Sequence, residues 1–302
     1  MTDTTASMSS LPPRPAHPLV HFTQRLLREQ PLGVVAASIV LAFIFIALFA
    51  DFLAPYDYTE PNLPSRLEGP SFAHPLGADQ LGRDVLSRII QGAQVSLIVG
   101  FAAAALNVIV ALLIGAISGY FGGKVDLIVQ RIVDGWMAIP GLLILLVAMS
   151  LMGRGMLNII LVLGIAGGIG GSRLARSAVI AIKESLYLNA AKTIGVPTRR
   201  ILSHHILPNI MAPMIILFSA SVGGNILSEA TLSFLGFGLP PDVPSWGGML
   251  SGEGRQYMEI APHLALWPGL ALTIVVWGTN MFGDSLRDLL DPRMRGGNTG
   301  QP

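Results

Sequence analysis

Residues 89–123, "IIQGAQVSLIVGFAAAALNVIVALLIGAISGYFGG", form the longest uncharged run in the chain and decide its fold class. The run contains no Asp, Glu, Lys or Arg. A helix needs about 20 consecutive apolar residues to cross the hydrocarbon core of a bilayer, because its backbone polar groups must be hydrogen-bonded within the segment. The run therefore predicts a transmembrane helix that begins after Gln91.

The whole chain has the composition of a membrane protein. Of its 302 residues, 52% are hydrophobic and 12% are charged, whereas soluble domains carry about 25% charged residues. Uncharged runs recur, and we predict six transmembrane helices, with a tight hairpin around residues 152–156 between the third and fourth. The first run has no convincing cleavage site after it, so we interpret it as a retained anchor. The predicted spans are residues 32–50, 89–123, 135–153, 155–172, 206–228 and 260–283.

The basic residues predict the orientation, because cytoplasmic loops of membrane proteins are enriched in Lys and Arg. If the N-terminus is cytoplasmic, fourteen of the nineteen Lys and Arg residues lie inside. Both termini and the polar loop of residues 173–208 are then cytoplasmic. The five basic residues left outside are Arg66, Arg83, Arg88, Arg154 and Arg255.

Several function classes are disfavoured by what the spans lack. No Asp, Glu, Lys or Arg lies in the middle of a span, which argues against an ion-coupled carrier, because such carriers use buried charges. Glu229 lies toward the outer end of the fifth span, and we interpret it as a carboxylate that reaches headgroups or a neighbouring subunit, with a substrate contact as the alternative. The chain has no G-x-x-x-x-G-K-[ST] phosphate loop, so any ATP would have to be bound by another polypeptide.

No chemistry of its own is predicted for the chain. It has no cysteine, and its six histidines lack further ligands nearby in the sequence, so we expect no metal or other cofactor. The spans hold no paired acid and base, and we predict neither catalytic residues nor an enzyme. We expect no nucleic-acid partner.

The loop of residues 173–208 contains a short amphipathic helix. Gly195 is expected to end this helix in the left-handed conformation, and Pro197 to begin a second short helix that Pro208 closes. Periodicity leaves two interpretations open: a basic helix on anionic headgroups, or a rigid docking element for a partner. The apolar stripe that predicts the first helix falls at i, i+3, i+4 and i+7 and consists of Tyr187, Ala190, Ala191 and Ile194.

The stretch "NAAKTIG" at residues 189–195, followed by "ILP" at residues 206–208, resembles the EAA loop of permeases in binding-protein-dependent ABC importers. In that family the loop is the coupling helix, which fits into a cleft of the ATP-binding subunit. Asn189 stands where the family usually has glutamate, so the hydrogen-bonding capacity is kept and the charge is lost. The resemblance implies contact with an ATPase subunit for Tyr187, Asn189, Ala190, Ala191, Gly195, Pro197, Ile206 and Pro208.

Further motifs resemble those of the dipeptide/oligopeptide/nickel permeases, in the same order. They are "HPLGADQLGRDVLSR" (74–88), "GYFGG" (119–123), "LSFLGFG" (232–238), "PSWG" (244–247) and "GDSLRDLLDP" (283–292). The resemblance covers residues 20–293 and implies an all-α, type I ABC importer permease of the "C" type. We divide the chain into a cytoplasmic tail (1–30), a first transmembrane helix (31–54), an extracytoplasmic segment (55–92), a five-helix permease core (93–285) and a cytoplasmic C-terminal tail (286–302). Within the extracytoplasmic segment an interfacial helix is predicted around residues 83–90, because Val85, Leu86, Ile89 and Ile90 would share one of its faces.

The family also implies the setting of the chain. It would lie in the bacterial cytoplasmic (inner) membrane with a "B"-type permease, one or two ATPase subunits that bind ATP and Mg, and an extracytoplasmic solute-binding protein. It would form half of the pathway for dipeptides or oligopeptides, with nickel chelates or glutathione as alternative cargo. Glu229, Pro244 and Trp246 are candidates for an outer gate or a binding-protein contact. A stand-alone channel or carrier is the rival interpretation.

Overall fold

The computed structural model describes residues 26–290, and over this range the chain is helical, with one isolated β-bridge between Ala78 and Asp84. The predicted tails at residues 1–30 and 286–302 lie largely outside this range. A 3-10 turn at Leu63–Ser65 and two π-helical segments, Ile201–Ile206 and Leu250–Gly254, interrupt the connections. The α-helices are α1 (Pro31–Leu48), α2 (Ala50–Leu53), α3 (Val85–Phe121), α4 (Gly123–Met137), α5 (Gly141–Met152), α6 (Met156–Lys183), α7 (Leu186–Thr193), α8 (Thr198–Arg200), α9 (Leu207–Asn209), α10 (Met211–Phe234), α11 (Trp246–Met249) and α12 (His263–Leu290).

Five of these helices, α1, α3, α6, α10 and α12, are long and apolar enough to cross a bilayer. They correspond to the predicted first, second, fourth, fifth and sixth spans. The predicted all-helical membrane architecture is confirmed. The number of spans reaches six if α4 and α5 are counted as one bent span.

The predicted third span, residues 135–153, is not one straight helix. α4 and α5 meet at an angle of 88°. Pro140 explains the break between them, because proline disfavours a helical residue before it and cannot continue the hydrogen bonds of α4. With 12 residues, α5 is about 18 Å long, which is shorter than the ~30 Å hydrocarbon core of a bilayer.

The most extensive helix contact in the bundle joins α3 and α6 through small residues. A Cβ atom added at Gly168 of α6 would lie 2.5 Å from Cβ of Val110, and one at Gly115 of α3 would lie 2.7 Å from the backbone nitrogen of Arg176. These distances are too short for any side chain, so the two backbones approach as closely as only glycine permits. Such close approach favours helix association in membranes, where the hydrophobic effect contributes little.

The predicted interfacial helix around residues 83–90 is not a separate element, because α3 begins at Val85 and continues to Phe121. Asp84 is the N-cap of α3. One of its carboxylate oxygens accepts the backbone NH and the hydroxyl of Ser87, both at 2.8 Å, and the other lies 3.0 Å from Nδ1 of His74. All three side chains are buried. The polar residues of the motif at 74–88 therefore build the start of α3.

A second buried carboxylate, that of Asp79, organises the turn before α3. It accepts Nε of Arg83 at 2.6 Å together with two backbone NH groups of the turn. Nε of Arg88 lies 3.6 Å from the same carboxylate. Gly82 closes the turn with a φ of +75°, and a Cβ atom there would lie 1.7 Å from the carbonyl oxygen of Asn62. This segment is thus fixed by polar contacts at the end of the bundle where α3 begins.

We expect Asp84→Ala to lower the Tm of the purified protein in detergent. Loss of the N-cap hydrogen bonds costs about 1–2 kcal/mol, and His74 loses its buried partner at the same time. Asp242→Ala is the matched control, because Asp242 is exposed in the connection between α10 and α11. Equal Tm values for the two variants would show that the contacts of Asp84 do not stabilise the fold.

Candidate functional site

The fourth span is longer than predicted, which shortens the polar loop after it. α6 continues to Lys183, so residues 173–183 are helical rather than loop. No glycine or proline interrupts them, and their arginines bind acids of α4. Arg176 donates Nε and Nη2 to Asp126 at 2.6 and 2.5 Å, and Arg173 pairs with Asp134. The polar connection from α6 to α10 therefore consists of residues 184–210.

α7 is held on the bundle by Leu188. This side chain is fully buried, in one apolar cluster with Val179 of α6, Ile201 and Ile206 of the π-helical segment, and Met214 of α10. The predicted stripe does not include Leu188, so periodicity alone misses this anchor. The cluster joins α7 to the ends of two spanning helices. A movement of α7 is expected to reach both, because packed interiors transmit strain.

The predicted stripe lies on the open side of α7. Ile194 is 80% exposed, Tyr187 is 48% exposed, and Ala190 is exposed between them. Leu186, which is 87% exposed, extends this apolar area. We call Leu186, Tyr187, Ala190 and Ile194 the α7 surface. An exposed apolar patch on a well-anchored helix is typical of an interaction site.

Gly195 ends α7 as the sequence predicts. Its φ is +81°. Its NH donates to the carbonyl of Lys192 at 3.0 Å, and the NH of Val196 donates to the carbonyl of Ala191 at 3.1 Å. This pair of bonds is the Schellman motif, which fixes the direction of the chain after a helix. Pro197 follows as the N-cap of α8, so a rigid corner joins α7 to the second helix.

Pro208 does not close the second helix, contrary to the prediction. The helical path continues from α8 through the π-helical segment Ile201–Ile206 and into α9, which contains Pro208. Proline has no NH to bond the carbonyl of His204, and the wider π turn directly precedes it. The chain instead turns at Ile210, and α10 begins at Met211 rather than at the predicted residue 206.

The predicted contact residues differ in how far they are exposed. Ile206 is 1% exposed beneath α7, so it supports α7 and does not itself face a partner in this structure. Ala191 is half-buried. The residues that remain exposed on α7, at the corner and on the second helix are Tyr187, Asn189, Ala190, Gly195, Pro197 and Pro208.

Cations border the α7 surface. Lys192, Arg199 and Arg200 are exposed, and Nζ of Lys192 lies 5.8 Å from the centroid of the Tyr120 ring. Glu184 is the only acidic residue of the sequence between residues 184 and 210. A partner that complements this area would present an apolar groove with acidic edges.

Glu229 is buried inside the bundle, so its interpretation as a carboxylate that reaches headgroups is wrong for this structure. Its side chain has no exposed area. It accepts hydrogen bonds from the hydroxyls of Ser233 at 2.7 Å and Ser96 at 3.3 Å, and Ser245 is a further side-chain partner. These serines belong to α10, α3 and the loop before α11. One carboxylate thereby connects three elements.

Trp246 and Pro244 are also buried. The indole NH of Trp246 donates to the carbonyl of Ile89 at 3.1 Å, and its ring packs edge-on against Phe43 at 5.8 Å between centroids. Gly92 leaves room for the indole, because a Cβ atom there would lie 3.0 Å from the ring. These two residues and Glu229 therefore fix the loop to the bundle and offer no surface to a binding protein in this structure.

Metal-binding geometry is not found in the described part of the chain. Within residues 26–290, no group of three His, Asp or Glu side chains is placed to hold a metal ion. His74 and His263 are buried, and Nε2 of His263 lies 3.3 Å from the carbonyl oxygen of Ala78. These two histidines make structural contacts within the bundle. The lack of a cofactor stays a prediction.

Comparison with known proteins identifies two family segments. Residues 111–296 match the family described as binding-protein-dependent transport system inner membrane component. Residues 23–70 match the N-terminal transmembrane domain of oligopeptide transport permease C. The first segment contains α7, the corner and the second helix.

Full-length relatives are similar over most of their length. The dipeptide transport system permease protein DppC of Alkalihalophilus pseudofirmus is 40% identical over 269 residues, which cover 89% of this chain and 88% of the relative. The glutathione transport system permease protein GsiD of Pectobacterium atrosepticum is 39% identical over 279 residues, 92% of each chain.

The fold is similar to that of a solved transporter. An inward-facing structure of the MetNI methionine ABC transporter superposes with a TM-score of 0.56 at 16% identity, over 68% of this chain and 97% of the other. The type I importer fold predicted from the motifs is thereby confirmed. The chain belongs to the family of binding-protein-dependent transport system inner membrane components and is a permease component of an ABC importer.

Proposed function

We propose that the chain forms half of the translocation pathway of an ATP-driven, binding-protein-dependent importer of dipeptides or oligopeptides. The names of its relatives, which are dipeptide and glutathione permeases, support a peptide cargo. The observation that carries the proposal is the α7 surface. It is an exposed apolar area on a helix that a buried leucine and a glycine–proline corner hold in place.

In this proposal other subunits bind and hydrolyse the ATP that drives transport. One or two ABC ATPase subunits bind ATP and Mg, and the α7 surface enters a cleft in them. Because Leu188 packs with residues of both α6 and α10, a displacement of α7 moves the ends of two spanning helices. The permease shifts between inward-open and outward-open states only if the ATPase binds α7 differently in the two states.

The proposed orientation places α7 and both termini in the cytoplasm, with the chain in the bacterial inner membrane. The distribution of Lys and Arg supports it. A "B"-type permease completes the pathway, and an extracytoplasmic solute-binding protein delivers cargo to the opposite end. Most side chains of α4 and α5 are at least partly exposed, since only Val133 and Met149 are buried in these two helices. Their apolar side chains are therefore available for contact with the second permease or with lipid.

Glutathione is the second candidate cargo, because one relative carries that name. Glutathione and a dipeptide share free carboxylates and amide bonds, so the same pathway chemistry would serve both. A stand-alone channel or carrier is the rival function, and in it the α7 surface would rest on lipid headgroups instead of a partner protein.

Uptake into proteoliposomes that contain the complete importer tests the proposal. We expect accumulation of radiolabelled L-alanyl-L-alanine only when the binding protein faces the outside and ATP with Mg is enclosed on the side of α7. A non-hydrolysable ATP analogue is the control. Uptake without ATPase subunits would establish a stand-alone carrier. ATP-driven uptake of glutathione, with no uptake of dialanine, would identify glutathione rather than a dipeptide as the cargo.

A further inference from the structure

One open face of α10 consists of small and polar side chains, although α10 is long and apolar enough to span a membrane. Ser221, Gly224 and Ser228 share this face, because residues three and four positions apart lie on one side of a helix. Gly224 is exposed, and both serines are partly exposed. A Cβ atom at Gly224 would have no side chain and no other segment within 4 Å. We call these three residues the α10 wall. Leu227, which is 49% exposed, lies at its edge.

The open face of α3 has a different composition. Its exposed side chains include Ile109, Leu113 and Ile117, which are 53%, 60% and 48% exposed. Large apolar side chains of this kind suit contact with lipid tails. Polar side chains within membrane spans instead face the bundle interior or a water-filled cavity as a rule. The contrast favours water beside the α10 wall and lipid beside α3.

Asn107 of α3 borders the α10 wall on one side. It is 5% exposed, and its Nδ2 donates to the hydroxyl of Ser221 at 3.3 Å. Its Oδ1 has no hydrogen-bond partner among the described residues, and it lies 3.3 Å from the position of a Cβ atom at Gly171 of α6. Because buried polar groups in proteins are nearly all hydrogen-bonded, this spare acceptor indicates a polar ligand. It lies where α6 meets α10, the two helices that pack with Leu188.

Asn280 of α12 borders the α10 wall on the other side. It is exposed, and its Oδ1 lies 2.5 Å from the position of a Cβ atom at Gly223, so the amide lies against the backbone of α10. Ser221 and Gly223 are about 200° apart round the helix and about 3 Å apart along it. Gly224 points between them. Two amides therefore flank the α10 wall at nearly the same depth, in the middle of the span.

We propose that the α10 wall lines the translocation pathway and that Asn280 accepts the N–H of the cargo's peptide bond as the cargo passes. This inference rests on the proposed function as a peptide importer. Small side chains leave room for the cargo, and neutral amides offer it hydrogen bonds without a charge that would hold it. Passage requires such weak binding, because cargo that enters must also leave. Asn107 provides a second acceptor when α6 and α10 move apart.

Single cysteines test whether water reaches the α10 wall, because the native chain contains none. A positively charged methanethiosulfonate reagent modifies thiolates, which form in water and not in lipid. In the complete importer in lipid nanodiscs, we expect it to modify Gly224→Cys and Ser228→Cys at least tenfold faster than Ile109→Cys. Ile109 is the control, because it is exposed and lies two residues from Asn107, at a similar depth. Mass spectrometry of the permease chain measures the rates.

An ester analogue of the cargo tests the hydrogen bond of Asn280. L-alanyl-L-lactate matches L-alanyl-L-alanine except that an ester oxygen replaces the peptide N–H. We expect the ratio of dipeptide to ester uptake into proteoliposomes to fall about fivefold in Asn280→Ala. The binding protein contributes equally to the native and variant ratios. Asn158→Ala should keep the native ratio, because the Asn158 amide bonds the carbonyls of Met152 and Gly153 away from the wall.

Two results would overturn the proposal. The first is modification of the wall cysteines no faster than that of Ile109→Cys, which would place the α10 wall against lipid or against the second permease. The second is an unchanged uptake ratio in Asn280→Ala, which would remove Asn280 from cargo recognition. If the importer takes up neither probe but the wall cysteines still react rapidly, the water-lined wall stands and the peptide-import function fails.

Discussion

Ile194→Asp should abolish the capture of an ATPase subunit while the permease remains folded. Ile194 is 80% exposed, so a charge there costs the free chain little. In a complex the same carboxylate would be buried in an apolar cleft, and the desolvation of an unpaired charge costs several kcal/mol. A loss of about 3 kcal/mol corresponds to an affinity more than a hundredfold lower. Co-purification with a tagged ATPase subunit measures the loss, and ATP-driven uptake should disappear with it.

Ile260→Asp is the matched control for this experiment. Ile260 is 76% exposed, just before α12, far along the chain from α7. The same change in chemistry at similar exposure should leave ATPase capture intact. If both variants capture the ATPase like the native chain, the α7 surface is not the contact, and α7 would be a helix that rests on the membrane.

The sequence predicts the spanning helices well because the bilayer imposes a simple rule. A backbone in hydrocarbon must bond to itself, so long uncharged runs such as residues 89–123 have one available structure. The rule says nothing about bends. Pro140 lies within an uncharged run, and only its effect on helix geometry, not its polarity, separates α4 from α5.

Individual residues predicted helix ends correctly where a residue type strongly prefers one position in a helix. Gly195 adopts the left-handed conformation that ends α7. The start of α3 carried a comparable signal, since an aspartate such as Asp84 directly before the apolar residues Val85 and Leu86 is typical of an N-cap. That signal was sufficient to predict a helix start at Val85 in place of an interfacial helix.

Packing could not be read from periodicity. The stripe of Tyr187 and Ile194 marks an apolar face, but the face is the open one, and Leu188 is buried instead. Periodicity cannot distinguish a face that packs on its own chain from one that awaits a partner. Glu229 shows the same limit, because Ser96 and Ser245, which surround it, are remote in the sequence and meet it only in the fold.

Glu229→Ala should destabilise the end of the bundle where α3 begins and abolish uptake. The substitution removes the shared acceptor of Ser96, Ser233 and Ser245 and leaves a cavity. Each buried polar group that loses its partner costs about 1–3 kcal/mol. We expect a lower Tm in detergent and faster amide hydrogen exchange in residues 239–250. Glu229→Gln keeps one acceptor oxygen and should retain part of both stability and uptake.

Thr231→Ala is the control for Glu229, because Thr231 lies two residues away on α10 and its hydroxyl bonds only the carbonyl of Leu227 in the same helix, at 2.8 Å. It should leave the Tm and uptake close to those of the native chain. If the Glu229 carboxylate faced headgroups instead, Glu229→Ala would change the Tm as little as Thr231→Ala does. Native-like Tm and hydrogen exchange in Glu229→Ala would therefore show that the buried Glu229 carboxylate does not stabilise the loop through its serine hydrogen bonds. A native Tm with lost uptake would assign Glu229 a direct part in gating, because the loop would then be held without it.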